Sequence, residues 1–179
     1  MALLAGGIGR SKRITSAFGG PLAADARNVI RTSKRGFSEM RKVRPFVQSD
    51  NARLVEILKI NGQYDHPAIE GPEAMERVAA CDAAIFLVAE EAGQIQGFIR
   101  AVYDGSRALI HLLSVDPSAQ RKGIGSTLLS AMEKELSRRG APSVSVTVTE
   151  NSAGFWEKQG FQRTPVHLML KTNIMNTSK

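Results

Sequence analysis

The stretch Val115-Asp116-Pro117-Ser118-Ala119-Gln120-Arg121-Lys122-Gly123-Ile124-Gly125-Ser126-Thr127-Leu128-Leu129 constrains this chain more than any other, because it reads as strand, tight loop and helix in succession. Ala108 to Val115 is apolar and rich in strand formers, and Pro117 ends it by removing a donor and fixing φ. Ile124, Leu128, Leu129, Met132 and Leu136 then recur at helical spacing, with Glu133, Lys134, Arg138 and Arg139 on the opposite face. The helix is predicted to start near Gly125. Arg138 and Arg139 complement its negative end, Gly140 suits the left-handed position just past it, and Pro142 forbids continuation. At the junction Gly123 and Gly125 carry no Cβ, so the backbone N–H groups from Arg121 to Ser126 can turn inward onto an anion. The helix N-terminus, Arg121, Lys122 and the hydroxyls of Ser126 and Thr127 favour a diphosphate there. A glycine turn before a surface helix is the plainer reading.

Other phosphate loops fit less well. A Walker loop needs a lysine after its second glycine, and Ser126 stands there. A dinucleotide fingerprint needs a small residue at position 128, which is Leu, and an acid about twenty residues on, a place that Glu150 fills only weakly. Gly7-Ile8-Gly9 has no strand–helix context.

Gln120-Arg121-Lys122-Gly123-Ile124-Gly125 resembles the acetyl-CoA pyrophosphate loop of the GNAT superfamily of N-acetyltransferases. Asn151-Ser152-Ala153-Gly154-Phe155-Trp156-Glu157-Lys158-Gln159-Gly160-Phe161 resembles that family's second signature. The two stand in the family's order, with a helix and a strand between them. The resemblance covers roughly residues 40–172. It implies a mixed α/β fold: a mostly antiparallel sheet with helices on both faces and a V-shaped splay between two strands. It also implies acetyl-CoA as cosubstrate.

The remaining chain is compatible with that fold. Lys42 to Val47 reads as a first strand, Ser49-Asp50 as the start of a helix through Ile60, residues 64–72 as a loop, and Glu73 to Cys81 as a second helix. Ile85–Glu90, Gln94–Tyr103 and Arg107–Val115 form a meander, with Asp104-Gly105 as a hairpin signal. Ser143 to Thr149 alternates as a strand parallel to its predecessor, Ser152–Lys158 is a short helix, and Thr164–Lys171 is expected to close the sheet.

Residues 1–39 hold seven Lys or Arg against Asp25 and Glu39, so five of the seven formal positive charges belong to this segment. The basic balance therefore argues little for a nucleic-acid surface on the folded part. The segment is rich in Gly, Ala, Ser and Arg and is expected to be mobile, with residues 40–179 as the acetyltransferase domain. An organelle transit segment, an extension ahead of a start at Met40, and a functional basic arm all remain open. Cys81 is the only cysteine, which excludes an intramolecular disulfide and fits a reducing compartment. No apolar run approaches the roughly twenty residues of a membrane helix, so a soluble, cytoplasmic protein is expected, with an organelle as the alternative. A homodimer is an open alternative to a monomer.

By resemblance, the backbone of Leu113 and Val115 pairs with pantetheine and the Val115 N–H polarises the acetyl carbonyl. Gln120, Arg121, Lys122, Gly123, Ile124, Gly125 and Ser126 form the phosphate loop, and Asn151 contacts pantetheine. Direct transfer to an amine needs no metal. The place where relatives carry a basic carboxylate falls near Leu109, so His111, two residues on, is the candidate base. A histidine packed on a strand face is the plainer reading. Glu90 and Glu150 are weaker candidates, and His167 reads as structural. Trp156 stands where many relatives have tyrosine, and its indole can donate a hydrogen bond but no proton, so it is taken as a hydrophobic wall for the cosubstrate. Tyr64, Asp65, His66 and Glu70 are candidates to line an amine pocket. A CoA-binding module without catalysis and a nucleic-acid binder acting through the basic segment are the two other function classes.

Overall fold

The computed structural model describes residues 41–169. The expectations for residues 1–39, and those for Leu170 and Lys171, lie outside the described residues. β1 (Arg41–Pro45), β2 (Ala84–Glu91), β3 (Gln94–Tyr103), β4 (Ala108–Val115) and β5 (Val144–Val146) form one sheet in sequence order. The first three pairings are antiparallel, the β2–β3 and β3–β4 pairs through short turns, and β4 pairs with β5 in parallel across a helical crossover. That crossover is α4 (Ile124–Arg138). Before the meander come α1 (Asn51–Ile60), the single-turn α2 (Pro67–Glu70) and α3 (Pro72–Ala79); α5 (Glu150–Lys158) follows β5.

Alternation along the strands divides the core in two. Ile85, Ala89, Ile99, Ala101 and Ile110 face Ile124, Leu128, Met132 and Leu136 of α4, while Phe86, Val88 and Phe98 face Leu54, Ile57 and Leu58 of α1 and Met75 of α3. Each of these side chains larger than alanine contributes about 1.5 to 3 kcal/mol by leaving water. The apolar stripe predicted for α4 is its buried face, with Leu128 and Met132 fully enclosed. The end of α4 also matches the sequence. Gly140 takes φ +84°, its N–H donates to the Ser137 carbonyl, and that of Ala141 donates to Leu136, satisfying carbonyls the helix leaves free.

Two bulges interrupt the ladders. Gln96 is the extra residue of β3 opposite Ala89/Glu90, and His111 is the extra residue of β4 opposite Arg100/Ala101. A bulged residue bends its strand and sharpens the local twist, so β4 turns at His111.

Three expectations need correction. The strand read as Ser143–Thr149 is only Val144–Val146, because the chain turns at Thr149, whose N–H donates to Ser152 Oγ at 3.1 Å as α5 begins. Residues 64–72 are not all loop, since Pro67 opens a helical turn whose Glu70 N–H donates to the His66 carbonyl at 2.9 Å. Thr164 to Met169 is not a strand. Val166, Leu168 and Met169 are 75%, 75% and 91% exposed, and the three-residue β5 offers too few rungs to hold a further strand.

Candidate active site

The parallel ladder between β4 and β5 is three pairs long and ends at Ile110–Val146. Beyond it β4 runs on to Val115 with, among the described residues, β3 on one side only. The Asp116 N–H donates to the Gln96 carbonyl on β3 at 2.8 Å. Because successive backbone groups of a strand point to opposite edges, those of Leu113 and Val115 point to the open edge. The Val115 carbonyl there accepts from Asn61 Nδ2 at 3.0 Å and Gln120 Nε2 at 3.1 Å. The Val115 N–H is left facing the gap.

Directly after this edge the chain makes the cradle. Asp116 caps the turn Pro117–Ala119, its carboxylate accepting from the Ser118 N–H and hydroxyl at 2.8 and 2.6 Å and from Arg53 Nη2 at 2.5 Å. The Ser118 hydroxyl first, then its N–H and Arg53, hold that carboxyl below the usual range against the opposing effect of burial. Arg121 (φ +60°) and Gly123 (φ +85°) are both left-handed, an alternation that turns successive N–H groups inward. Gly123 is the N-cap of α4 and supplies no side-chain acceptor, so the first-turn N–H groups of Ile124, Gly125 and Ser126 are open to an anion. Arg121 and Lys122 are exposed beside them, whereas the side chain of Ile124 is buried in the core. The Thr127 hydroxyl donates back to the Gly123 carbonyl at 3.0 Å, which removes it as an anion donor. At Gly125 a Cβ would stand 3.3 Å from Cε2 and Cζ of Phe155, so this glycine lets α5 approach α4 closely.

The other sequence candidates scatter. His111 is exposed at the bulge; burial of its inner side, and then the positive charge of Arg100, lower its pKa from the ordinary value. Asn151 is exposed in the first turn of α5. Trp156 is 6% exposed and lies in the core, edge-to-face with Phe155 and Phe161 at ring separations of 5.1 and 5.2 Å. Phe155, not Trp156, is the ring against the loop. Glu90 accepts from Arg44 Nε at 2.9 Å and serves the β1–β2 edge. Glu150 pairs with Arg163 at the surface, and His167 is exposed rather than packed in a strand. Tyr64 packs against the core shared with α1 and α3, Asp65 and His66 are exposed, and Glu70 accepts from the His66 N–H at 3.0 Å.

Three residues that the motifs do not include also reach the site: Asn61 and Arg53, which tie α1 to the end of β4, and Arg41, whose Nη1 lies 3.6 Å from where a Cβ on Gly123 would be. Arg100, buried in β3, is a fourth. Only Asp116-Pro117-Ser118 carries a local signal, the tendency of Asp to hold the N–H two residues on. A cleft of about 560 Å³ bordered by Arg44, Phe46, Leu87, Lys134 and Arg138 lies along the C-terminal half of α4, at the end away from the loop.

The chain is thus a mixed α/β protein with an anion cradle at a helix start, opening onto a strand edge that no described strand pairs with. The chain belongs to the GNAT acetyltransferase family: the profile of the "Acetyltransferase (GNAT) domain" matches residues 62–174, more than half its length. Among solved structures, the chain is similar to the PaiA N-acetyltransferase of Thermoplasma acidophilum in complex with coenzyme A. The identity is 22% and the TM-score 0.64, over 71% of this chain and 92% of that one. An aminoglycoside acetyltransferase from an uncultured soil metagenomic sample matches at 18% identity and TM-score 0.63, over 76% and 99%. A predicted acetyltransferase of Clostridium acetobutylicum, solved with acetyl-CoA, matches at 19% and 0.62, over 74% and 96%. These likenesses establish the fold.

Proposed function

We propose that the protein moves an acetyl group from acetyl-CoA to the nitrogen of an amine by direct attack. The observation that carries this reading is the β4–β5 ladder that stops at Ile110–Val146, immediately beside the left-handed cradle at the start of α4. The chain's groups fit the cosubstrate. The N–H groups of residues 121–126 suit its pyrophosphate, helped by Arg121 and Lys122. The open edge at Leu113 and Val115 suits the amides of its pantetheine arm, Asn151 is exposed at the start of α5 and able to offer its amide, and a Cβ at position 125 would crowd the cradle's support at Phe155. Two structurally similar acetyltransferases were solved with coenzyme A or acetyl-CoA.

When bound, acetyl-CoA supplies an acetyl thioester. The Val115 N–H polarises its carbonyl, a role in which one well-placed donor is worth about 3 kcal/mol. His111 takes the proton from the amine nitrogen as the C–N bond forms, and the C–S bond breaks to release the coenzyme A thiolate, which takes its proton from water. The lowered pKa of His111 favours the neutral imidazole at pH 7, which is the form able to accept the amine's proton. Trp156 supports the site from the core through Phe155.

The test is a thiol-release assay with acetyl-CoA and a panel of amines, together with calorimetric titration of acetyl-CoA. Amine-dependent release and saturable binding are expected. Binding without release from any amine would favour a CoA-binding module that lost catalysis, and absence of binding would overturn the reading altogether.

A further inference from the structure

Arg100 is a cation in the wrong place for a surface residue. It stands in the middle of β3, is 8% exposed, and its Nε is buried with no hydrogen-bond partner. None of the ion pairs among the described residues includes it. Burying a guanidinium without a hydrogen-bonded counter-charge costs several kcal/mol. Here desolvation pulls its pKa down and only the more distant Glu70 opposes this. Phe86 lies beneath it, the ring centre 5.8 Å from the guanidinium carbon, a modest compensation.

Its surroundings show where the charge is directed. Arg100 pairs with Leu112 of β4 at the bulge, so the extra residue His111 is its neighbour across the ladder, and its charge is felt there. Leu112 and Phe86 belong to the core shared with α1 and α3, the face over which Tyr64 packs. The guanidinium, without an ion pair among the described residues, thus lies beside the imidazole proposed to receive the amine's proton, on the side covered by the α1–α3 segment.

We propose that Arg100 receives a carboxylate of the acceptor, so that the substrate is a small amine carrying a carboxylate, an amino acid or close analogue. The proposal rests on the acetyl-transfer reading above. The planar fork of arginine matches a carboxylate through two parallel hydrogen bonds, and such charge-assisted pairs supply the hydrogen-bonded counter-charge that Arg100 lacks among the described residues. Glu70 already brings one negative charge near this cation, which favours a monoanionic carboxylate over a dianionic phosphate. Polycationic acceptors such as aminoglycosides and polyamines, in contrast, would meet the charge of Arg100 without relief.

The experiment compares matched acceptors: glycine, β-alanine, γ-aminobutyrate and a panel of α-amino acids, each against its carboxamide, with O-phosphoethanolamine and spermidine as further arms. Two readouts are taken on the full chain, kcat/KM by thiol release and binding by calorimetry in the presence of CoA. For at least one acid a preference of tenfold or more over its amide is expected, arising in KM. Arg100→Met should bring the ratio to within about twofold and melt no lower than wild type, since it removes an unpaired buried charge; Arg100→Lys should keep part of the preference. Equal binding of acids and amides, preference for the phosphate or spermidine arm, or discrimination that persists in Arg100→Met overturns the proposal. So does an Arg100→Met protein that melts well below wild type, which would mark a structural arginine. If acids bind preferentially through Arg100 but no acceptor releases thiol, the acetyl-transfer reading fails and the carboxylate site stands.

Discussion

Gly123 and Gly125 are needed for different reasons, and a double-mutant cycle with Phe155 separates them. Gly123 holds φ +85°, and its missing Cβ would meet only Arg41 Nη1 at an ordinary contact distance of 3.6 Å, so Gly123→Ala strains the backbone alone. An L-residue in that region costs about 1 to 2 kcal/mol, offset by roughly 0.4 to 1 kcal/mol from the stiffer unfolded chain, leaving a net loss near 1 kcal/mol. Gly125 is helical, and its Cβ would press on Phe155 at 3.3 Å. Gly125→Val adds two methyls to that contact, and overpacking of this kind costs about 1 to 3 kcal/mol. Phe155→Leu should relieve it. Urea denaturation should therefore give a coupling energy near 1 kcal/mol for Gly125→Val with Phe155→Leu, and additivity within about 0.5 kcal/mol for Gly123→Ala with Phe155→Leu. Acetyl-CoA binding should weaken at least tenfold, about 1.4 kcal/mol, in Gly125→Val, and recover in part in the double variant. Additivity at Gly125, or coupling at Gly123, would refute the assignment of steric and conformational roles. Unchanged acetyl-CoA affinity in Gly125→Val would remove the loop from the binding site.

Three further predictions test the site and its supports. If His111 is the base, the acidic limb of kcat/KM should fall below the ordinary histidine value of about 6.5, move up in Arg100→Met as the neighbouring charge is lost, and vanish in His111→Gln; a limb above 6.5 in the wild type would exclude it. Trp156→Ala should cost about 3 to 5 kcal/mol of stability, as for other buried aromatics, while Trp156→Tyr should not raise the rate, because position 156 points into the core; a faster Tyr variant would place it at the reaction. Arg44 grips Asp50 through two hydrogen bonds of 2.8 and 2.9 Å, and although burial raises the Asp50 carboxyl, the Arg44 fork and the Val47 N–H outweigh it and hold it below its usual pKa. The Arg138 and then Arg139 hydrogen bonds lower Glu135 to about 2. Both carboxylates add stability above the unfolded value of about 4, and this is lost as pH falls through their folded values, so thermal scans from pH 6 to 2 should show Asp50→Asn with lower Tm at pH 6 and a flatter acid slope, and an unchanged slope would refute the linkage.

What was legible in the sequence is what local periodicity and turn chemistry encode. α4 was readable because five apolar residues recur on one face and Gly140 with Pro142 marks its end. The loop was readable because its glycines and cations are contiguous. The bulge at His111 was not, since an extra residue exists only relative to the strand opposite, and Arg100 and Leu112 are distant in sequence. Asn61 and Arg53 act on β4 from more than fifty positions away. Phe155 and Trp156 are adjacent in sequence, and only the 100° rotation per helical residue decides which ring meets Gly125. Val166 and Leu168 alternate as a strand should, yet alternation specifies a surface to be covered and not the neighbour that covers it.

The brevity of β5 has a dynamic consequence. Three parallel rungs fasten it to the rest of the sheet, so amide protons of residues 144–146 should exchange through local opening at a free energy well below that of global unfolding, while those of β2 and β3, paired on both sides, exchange last. A ligand seated between β4 and β5 would add backbone partners on that side and slow this exchange in proportion to its occupancy. The weakest seam of the sheet is thus also where binding is registered, and hydrogen exchange at Val144 and Val146 reports occupancy of the gap without any chemical turnover.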